Sequence, residues 1–123
     1  MGPLAGLRIV DMTTVLMGPY ATQILGDFGA DVIKVEAPDG DLVRQIGPMR
    51  HEGMGPVFLN VNRSKRSITL DLKKPDGREA LLALAKEADV PVYNVRAKAM
   101  ERLGLSFETL QEINPKLIYA GMF

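Results

Sequence analysis

Apolar positions along this chain follow two rhythms that alternate. The runs Leu7-Arg8-Ile9-Val10-Asp11 and Asp31-Val32-Ile33-Lys34-Val35-Glu36 are short and β-branched, and read as buried strands. Between them Tyr20, Ile24, Leu25 and Phe28 recur at helical spacing, with Gly18-Pro19 as the predicted start and Gly29 as the stop. Strand, glycine-bearing turn, helix, glycine and strand within about thirty residues make a βαβ unit, which requires parallel strands and a right-handed crossover.

Residues 37–56 shift to Gly, Pro, Asp and Arg with little periodicity, a loop of a length that is usually functional or mobile. Pro56 to Asn60 is apolar but too short to assign. The stretch Asn62 to Lys73 opens on Arg63, Lys65 and Arg66, alternates Ile68, Leu70 and Leu72 with Thr69, Asp71 and Lys73, and closes on Lys73 and Lys74. That pattern predicts a strand, covered more on one face, whose basic turns hold positive charges along one rim of the sheet and suit a ligand carrying several phosphates. Asp76 and Glu79 resemble a capping box for a helix whose Leu81, Leu82, Leu84, Ala85 and Ala88 face the core. Val90 to Tyr93 is a short strand in which Pro91 belongs at an edge or a strand start. Ala99 to Leu103 is a helical turn stopped by Gly104, Ser106 caps a helix through Ile113, and Leu117 to Ala120 is a last strand. With no helix after it to cover that strand, the chain is expected to be the N-terminal part of a larger fold. The fold class expected is α/β: a Rossmann-like open sheet, mostly parallel, with helices on both faces, as one domain over residues 1–123.

Composition narrows the chemistry. Fifteen Lys and Arg balance fifteen Asp and Glu in 123 residues, so no global charge favours nucleic acid, and any anion site must be local. The absence of cysteine removes disulfides, thiolate metal sites and cysteine nucleophiles, and fits a reducing compartment. The single histidine, His51, lies in a loop without carboxylates at ligand spacing, so neither a zinc site nor a Ser–His–Asp set is expected. No run approaches the ~18 apolar residues of a membrane helix, and no signal-peptide pattern opens the chain, so a cytoplasmic protein without a membrane partner is expected.

Open α/β sheets bind ligands beyond the carboxyl ends of their strands. Val15 to Pro19, Glu36 to Arg44, Leu70 to Lys73 and Asn94 to Arg96 fall there. Gly18 lets backbone approach a ligand, and the helix after it favours an anion. Arg96, Lys98 and Arg102 form a second basic cluster, and arginine forks match phosphate oxygens. Either cluster alone reads as a solvated face. Two at one topological position favour a polyphosphate ligand. A nicotinamide enzyme is the rival, with Glu36 where a ribose-binding acid would stand. But the turn Met12 to Gly18 is not Gly-x-Gly-x-x-Gly, and no Walker-type lysine loop occurs. Asp11, Asp27, Asp71 and Asp89 lie at strand ends or on helix faces, where capping or solvent accounts for them, and no acid–base pair can be singled out.

Across almost its whole length the sequence resembles the family III CoA-transferases, which include formyl-CoA and carnitine-type transferases and the related α-methylacyl-CoA racemases. The similar segments are Leu4-x-Gly6-Leu7-Arg8-Ile9-Val10-Asp11, Gly18-Pro19, Leu25 to Glu36, Gly40-Asp41-x-x-Arg44, Asn62-Arg63-x-Lys65-Arg66-Ser67-Ile68-x-Leu70-Asp71-Leu72-Lys73, Ala88-Asp89-Val90, Arg102-Leu103-Gly104 and Asn114-Pro115-x-Leu117-Ile118-Tyr119. The resemblance implies a Rossmann-like large domain, an interlocked homodimer, coenzyme A or acyl-CoA as substrate with a carboxylic acid as acceptor, and no tightly bound cofactor. It implies CoA contacts at Val15, Leu16, Leu70, Asp71, Leu72, Lys73, Asn94, Val95, Arg96 and Arg102. The transferases' aspartate nucleophile, an instance of covalent carboxylate catalysis, and the racemases' His and Asp pair would both lie beyond Phe123. This chain would then hold no catalytic residue; the alternatives are an α-methylacyl-CoA racemase-like enzyme and a catalytically inactive CoA-binding or partner-dependent interaction module. Three positions depart from the family pattern. Ala37 stands where many members carry an arginine, Leu16 where formyl-CoA transferases have glutamine, and Tyr93-Asn94-Val95-Arg96-Ala97-Lys98 where Glu-Asn-Phe-Arg-Pro-Gly is commoner.

Overall fold

The computed structural model describes residues 1–123. Strands β1 (Arg8–Met12), β2 (Asp31–Glu36), β3 (Lys65–Thr69), β4 (Val90–Tyr93) and β5 (Ala120–Gly121) form one sheet in the order β3-β2-β1-β4-β5. Every pairing is parallel. The chain winds outward from β1 to β3, returns to the middle and winds outward again through β4 to β5. The switch point therefore lies between β1 and β4. The expected Rossmann-like class is what the structure has.

The helices are α1 (Met17–Asp27), α2 (Pro56–Val61), α3 (Pro75–Lys86), α4 (Ala97–Arg102) and α5 (Phe107–Ile113). On one face of the sheet Val10, Met12, Val35 and Tyr93 pack with Leu81 and Ala85 of α3, Met100 of α4 and Leu110 of α5. On the other, Ile9, Val32 and Val92 pack with Leu25 of α1 and Ala30 after it. Central strands buried on both sides need near-continuous apolar runs, which is why β1 and β2 were easily read. The predicted stop at Gly29 has φ +101°, and the Ser106 hydroxyl does accept from the Thr109 N–H to cap α5.

Several elements differ from expectation. β3 ends at Thr69, and Leu70 and Leu72 join the core from the turn after it, so the alternating pattern overran the strand. Helix α3 starts at Pro75 behind Lys74 with no side-chain cap, and Asp76 sits in its first turn, so the capping box does not form. Helix α1 starts at Met17, two residues before Pro19. The short apolar segment from Pro56 is helix α2, and the last strand is only Ala120–Gly121.

The basic opening of β3 also proves different. It enters at the amino edge of the sheet, opposite the carboxyl rim, and its cations meet acids. Arg63 pairs with Asp27 at 2.8 Å and Arg66 with Asp31 at 2.7 Å, whereas Lys65 is buried against Asp11 at 2.9 Å. Asp11 is fully enclosed; its two oxygens accept from Thr13, Thr22 and Lys65. Neither capping nor solvent exposure accounts for it. Burial works against its ionisation, but Lys65 and the hydroxyls of Thr13 and Thr22 outweigh burial and hold the carboxyl below the usual range.

Candidate functional site

Three adjoining clefts run along the carboxyl ends of the strands. The first, about 530 Å³, lies between the turn after β3, the start of α3 and the end of α4. Lys73, Lys74, Arg78 and Arg102 line it, together with Leu72, Pro75, Ala99 and Leu103, and no carboxylate does. Of its cations only Lys74 has an acidic neighbour, Asp71 at 3.7 Å. The turn that presents Lys73 is tightly built. The Leu70 N–H bonds Glu36 O, the Lys73 N–H bonds Asp71 Oδ1, and the Lys74 N–H bonds Asp71 O.

The second cleft, about 470 Å³, shares Leu72, Lys73 and Leu103 with the first and continues past Leu70, Asp71, Val95, Ala37 and Thr14. The third, about 560 Å³, begins at Thr14 and is lined by Val15, Leu16, Met17, Gly18, Asn94 and the segment Gly121 to Phe123. It contains no charged side chain. Along the rim, the first cleft is lined by cations alone, the second by Glu36, Asp39 and Asp71 with Lys73, and the third by no charged side chain.

Of the residues expected to form the site, Leu72, Lys73 and Arg102 meet in the first cleft, Leu70, Asp71 and Val95 in the second, and Val15, Leu16 and Asn94 in the third. Arg96 and Lys98 are exposed and line none of these clefts, so the second basic cluster contributes through Arg102. Arg78 is exposed and extends toward Gly104, where the missing side chain leaves room for its guanidinium. A cation one turn into a helix that begins at the carboxyl rim was the available signal.

Glu36 ends β2 where a dinucleotide enzyme would hold a ribose, but its carboxylate is fully engaged. Arg44 forks onto both oxygens at 2.7 Å, Ser67 donates at 2.9 Å, and the Asp41 N–H donates at 2.9 Å. Arg44 itself lies 3.6 Å over the Phe58 ring. Burial opposes ionisation of Glu36, yet Arg44 and the other donors outweigh it and bring the carboxyl down to about 2. This use of Glu36 also shows why the loop after β2 is ordered around Asp41 and Arg44.

Fold and rim together define a Rossmann-like α/β domain with a cation-lined cleft at its carboxyl edge. The profile of CoA-transferase family III matches residues 4–123, and the chain belongs to that family. It is 49% identical over 126 residues to a succinyl-CoA:mesaconate CoA-transferase of Haloarcula hispanica, covering 99% of this chain and 32% of that protein. A formyl-CoA:oxalate CoA-transferase of Afipia carboxidovorans is 48% identical over 120 residues, covering 97% and 28%. A solved CAIB/BAIF family protein from Brucella suis superposes with a TM-score of 0.93 at 44% identity, over 98% of this chain and 33% of that one. A short-chain dehydrogenase/reductase family protein at 18% identity and a TM-score of 0.52 shares the fold alone. The chain thus spans about a third of the length of the relatives it matches. No helix is long and apolar enough to cross a membrane.

Proposed function

We propose that this chain is the N-terminal, CoA-binding segment of an enzyme that moves CoA between an acyl-CoA and a carboxylic acid. The observation that carries the reading is the contrast between the cation-lined first cleft and the uncharged third. Four cations with no carboxylate among them suit the phosphates of the nucleotide end, and the uncharged cleft at Val15 and Leu16 suits the far end with its thioester. Leu70 to Lys73, with Val95, lies between them along the pantetheine arm. Asn94 and Arg102 complete the contact set, Arg96 stands outside the clefts, and Lys74 and Arg78 add charge in the first cleft, whereas Ala37 supplies none in the second. The nucleophilic aspartate belongs to a part of the enzyme outside this chain. Coenzyme A is a substrate rather than a resident cofactor, and the working enzyme is an interlocked homodimer in the cytoplasm.

Calorimetric titration of the protein expressed from its complete gene with coenzyme A tests this reading. Saturable binding at micromolar concentration or tighter is expected. No heat of binding would overturn it.

A further inference from the structure

Two strands and the segments after β2 and β4 lend side chains to one short piece of backbone. Leaving β1, the chain passes through Thr13, Thr14 and Val15 before α1 begins, and this turn has no ladder partner. Lys34 of β2 donates to Thr13 O at 3.0 Å. Asn94, directly after β4, accepts from the Thr14 N–H at 3.1 Å and donates to Thr14 O at 2.9 Å. Asp41 accepts from the Val15 N–H at 3.2 Å, and Asp11 from the Thr13 N–H at 2.9 Å. Side chains therefore hold every backbone donor and acceptor of these residues except Val15 O.

The groups doing this are themselves fixed. Lys34 and Asp41 form a 3.0 Å ion pair with side chains 1% and 0% exposed. Asp41 also accepts from the Val43 N–H and donates its own N–H to Glu36. The turn they hold is strained: Val15 has φ +72°, a left-handed conformation that a β-branched residue adopts only when its surroundings dictate it. Its side chain gains no burial in return, being 45% exposed, and Leu16 beside it is 50% exposed. The strain serves neither core nor sheet. It aims Val15 and Leu16 into the third cleft.

We propose that Asn94 is a positioning residue. Its amide locks Thr14 in a two-point bond, so that Val15, already in its left-handed conformation, and Leu16 beside it are presented to the ligand. The proposal rests on the CoA reading for what the ligand is. It reassigns the Asn94 side chain from touching the ligand to holding the turn that touches it. The buried Lys34–Asp41 pair anchors the other side of that turn.

The test uses the complete protein and two readouts. Hydrogen exchange of the amides of residues 13–17 is followed without ligand, and coenzyme A affinity is measured separately. In Asn94→Ala both Thr14 bonds are lost, so exchange in this turn should accelerate and affinity should fall, each by roughly tenfold, with the sheet amides unchanged. Asn94→Gln, which keeps both groups one methylene further out, should recover part of each. Asn94→Ser serves should the alanine variant not fold, with the same expected direction. Weakened affinity with unchanged exchange would mean direct contact and overturn the proposal, as would faster exchange with unchanged affinity. If the parent does not bind coenzyme A, the functional reading fails, and the exchange arm alone still decides whether Asn94 holds the turn.

Discussion

Lys65 of β3 and Asp11 of β1 meet at 2.9 Å although β2 lies between their strands. The Lys65 ammonium also donates to Pro19 O in α1 and to Asn62 Oδ1 behind α2, so one cation ties two strands and two helices. Burial draws Lys65 below the ordinary lysine range, and Asp11 opposes that pull. Lys65→Met leaves the enclosed carboxylate unpaired and should cost about 3–5 kcal/mol in urea unfolding. Pairing it with Asp11→Asn should recover much of that loss. Additive losses in the double variant would show that the two residues act separately.

Glu36 and Arg44 give the fold an acid-sensitive latch. The folded-state pKa of Glu36 is about 2, below its ordinary 4.5, so the unfolded chain takes up the proton first as pH falls. The stabilisation is whole above pH 4.5 and drains away as pH drops toward 2, by about 3 kcal/mol at most. Asp11, lowered as well, adds in the same direction. Chemical denaturation across this range should show the loss, and Arg44→Met should flatten the slope. An unchanged slope would contradict the latch.

Strain at Val15 predicts an inverted result for a mutation to glycine. Val15→Gly removes an exposed side chain and relieves a positive φ, so unfolding free energy should rise by about 1 kcal/mol. A lower melting temperature would mean that Val15 contributes contacts worth more than its strain.

Gly77 gives the opposite inversion. Alanine normally stabilises a helix position relative to glycine, but a Cβ here would stand 2.2 Å from Asp71 O, in the turn that presents Lys73. Gly77→Ala should destabilise the protein by about 2 kcal/mol and weaken coenzyme A binding. Thermal unfolding and calorimetry would read the two effects. A stabilised variant would show that the turn yields freely.

The βαβ unit, the stop at Gly29 and the Ser106 cap were legible because each is written in neighbouring residues. The end of β3 was not, because Leu70 and Leu72 carry the strand's alternation onward while packing from a turn. The basic opening at Arg63, Lys65 and Arg66 read as a ligand rim because local pattern shows the charges and not their partners. Its partners Asp27, Asp11 and Asp31 lie 35 or more positions away, where local pattern has no reach. Asn94 showed its rim position but not that Thr14, 80 residues earlier, uses both ends of its amide. Lys73 and Arg102 were legible as basic rim residues, and the resemblance gave them their CoA contact. Their meeting in one cleft with Lys74 and Arg78 required the fold.

The central claim is that this cationic cleft holds the phosphates of coenzyme A. Its most direct test is the coenzyme A affinity of the complete protein carrying Lys73→Ala and Arg102→Ala together, measured by calorimetry against the parent. Each lost charged hydrogen bond should cost about 1.5–3 kcal/mol, so the double variant should bind at least roughly a hundredfold more weakly, with its melting temperature retained. A folded double variant that binds as tightly as the parent would contradict the account.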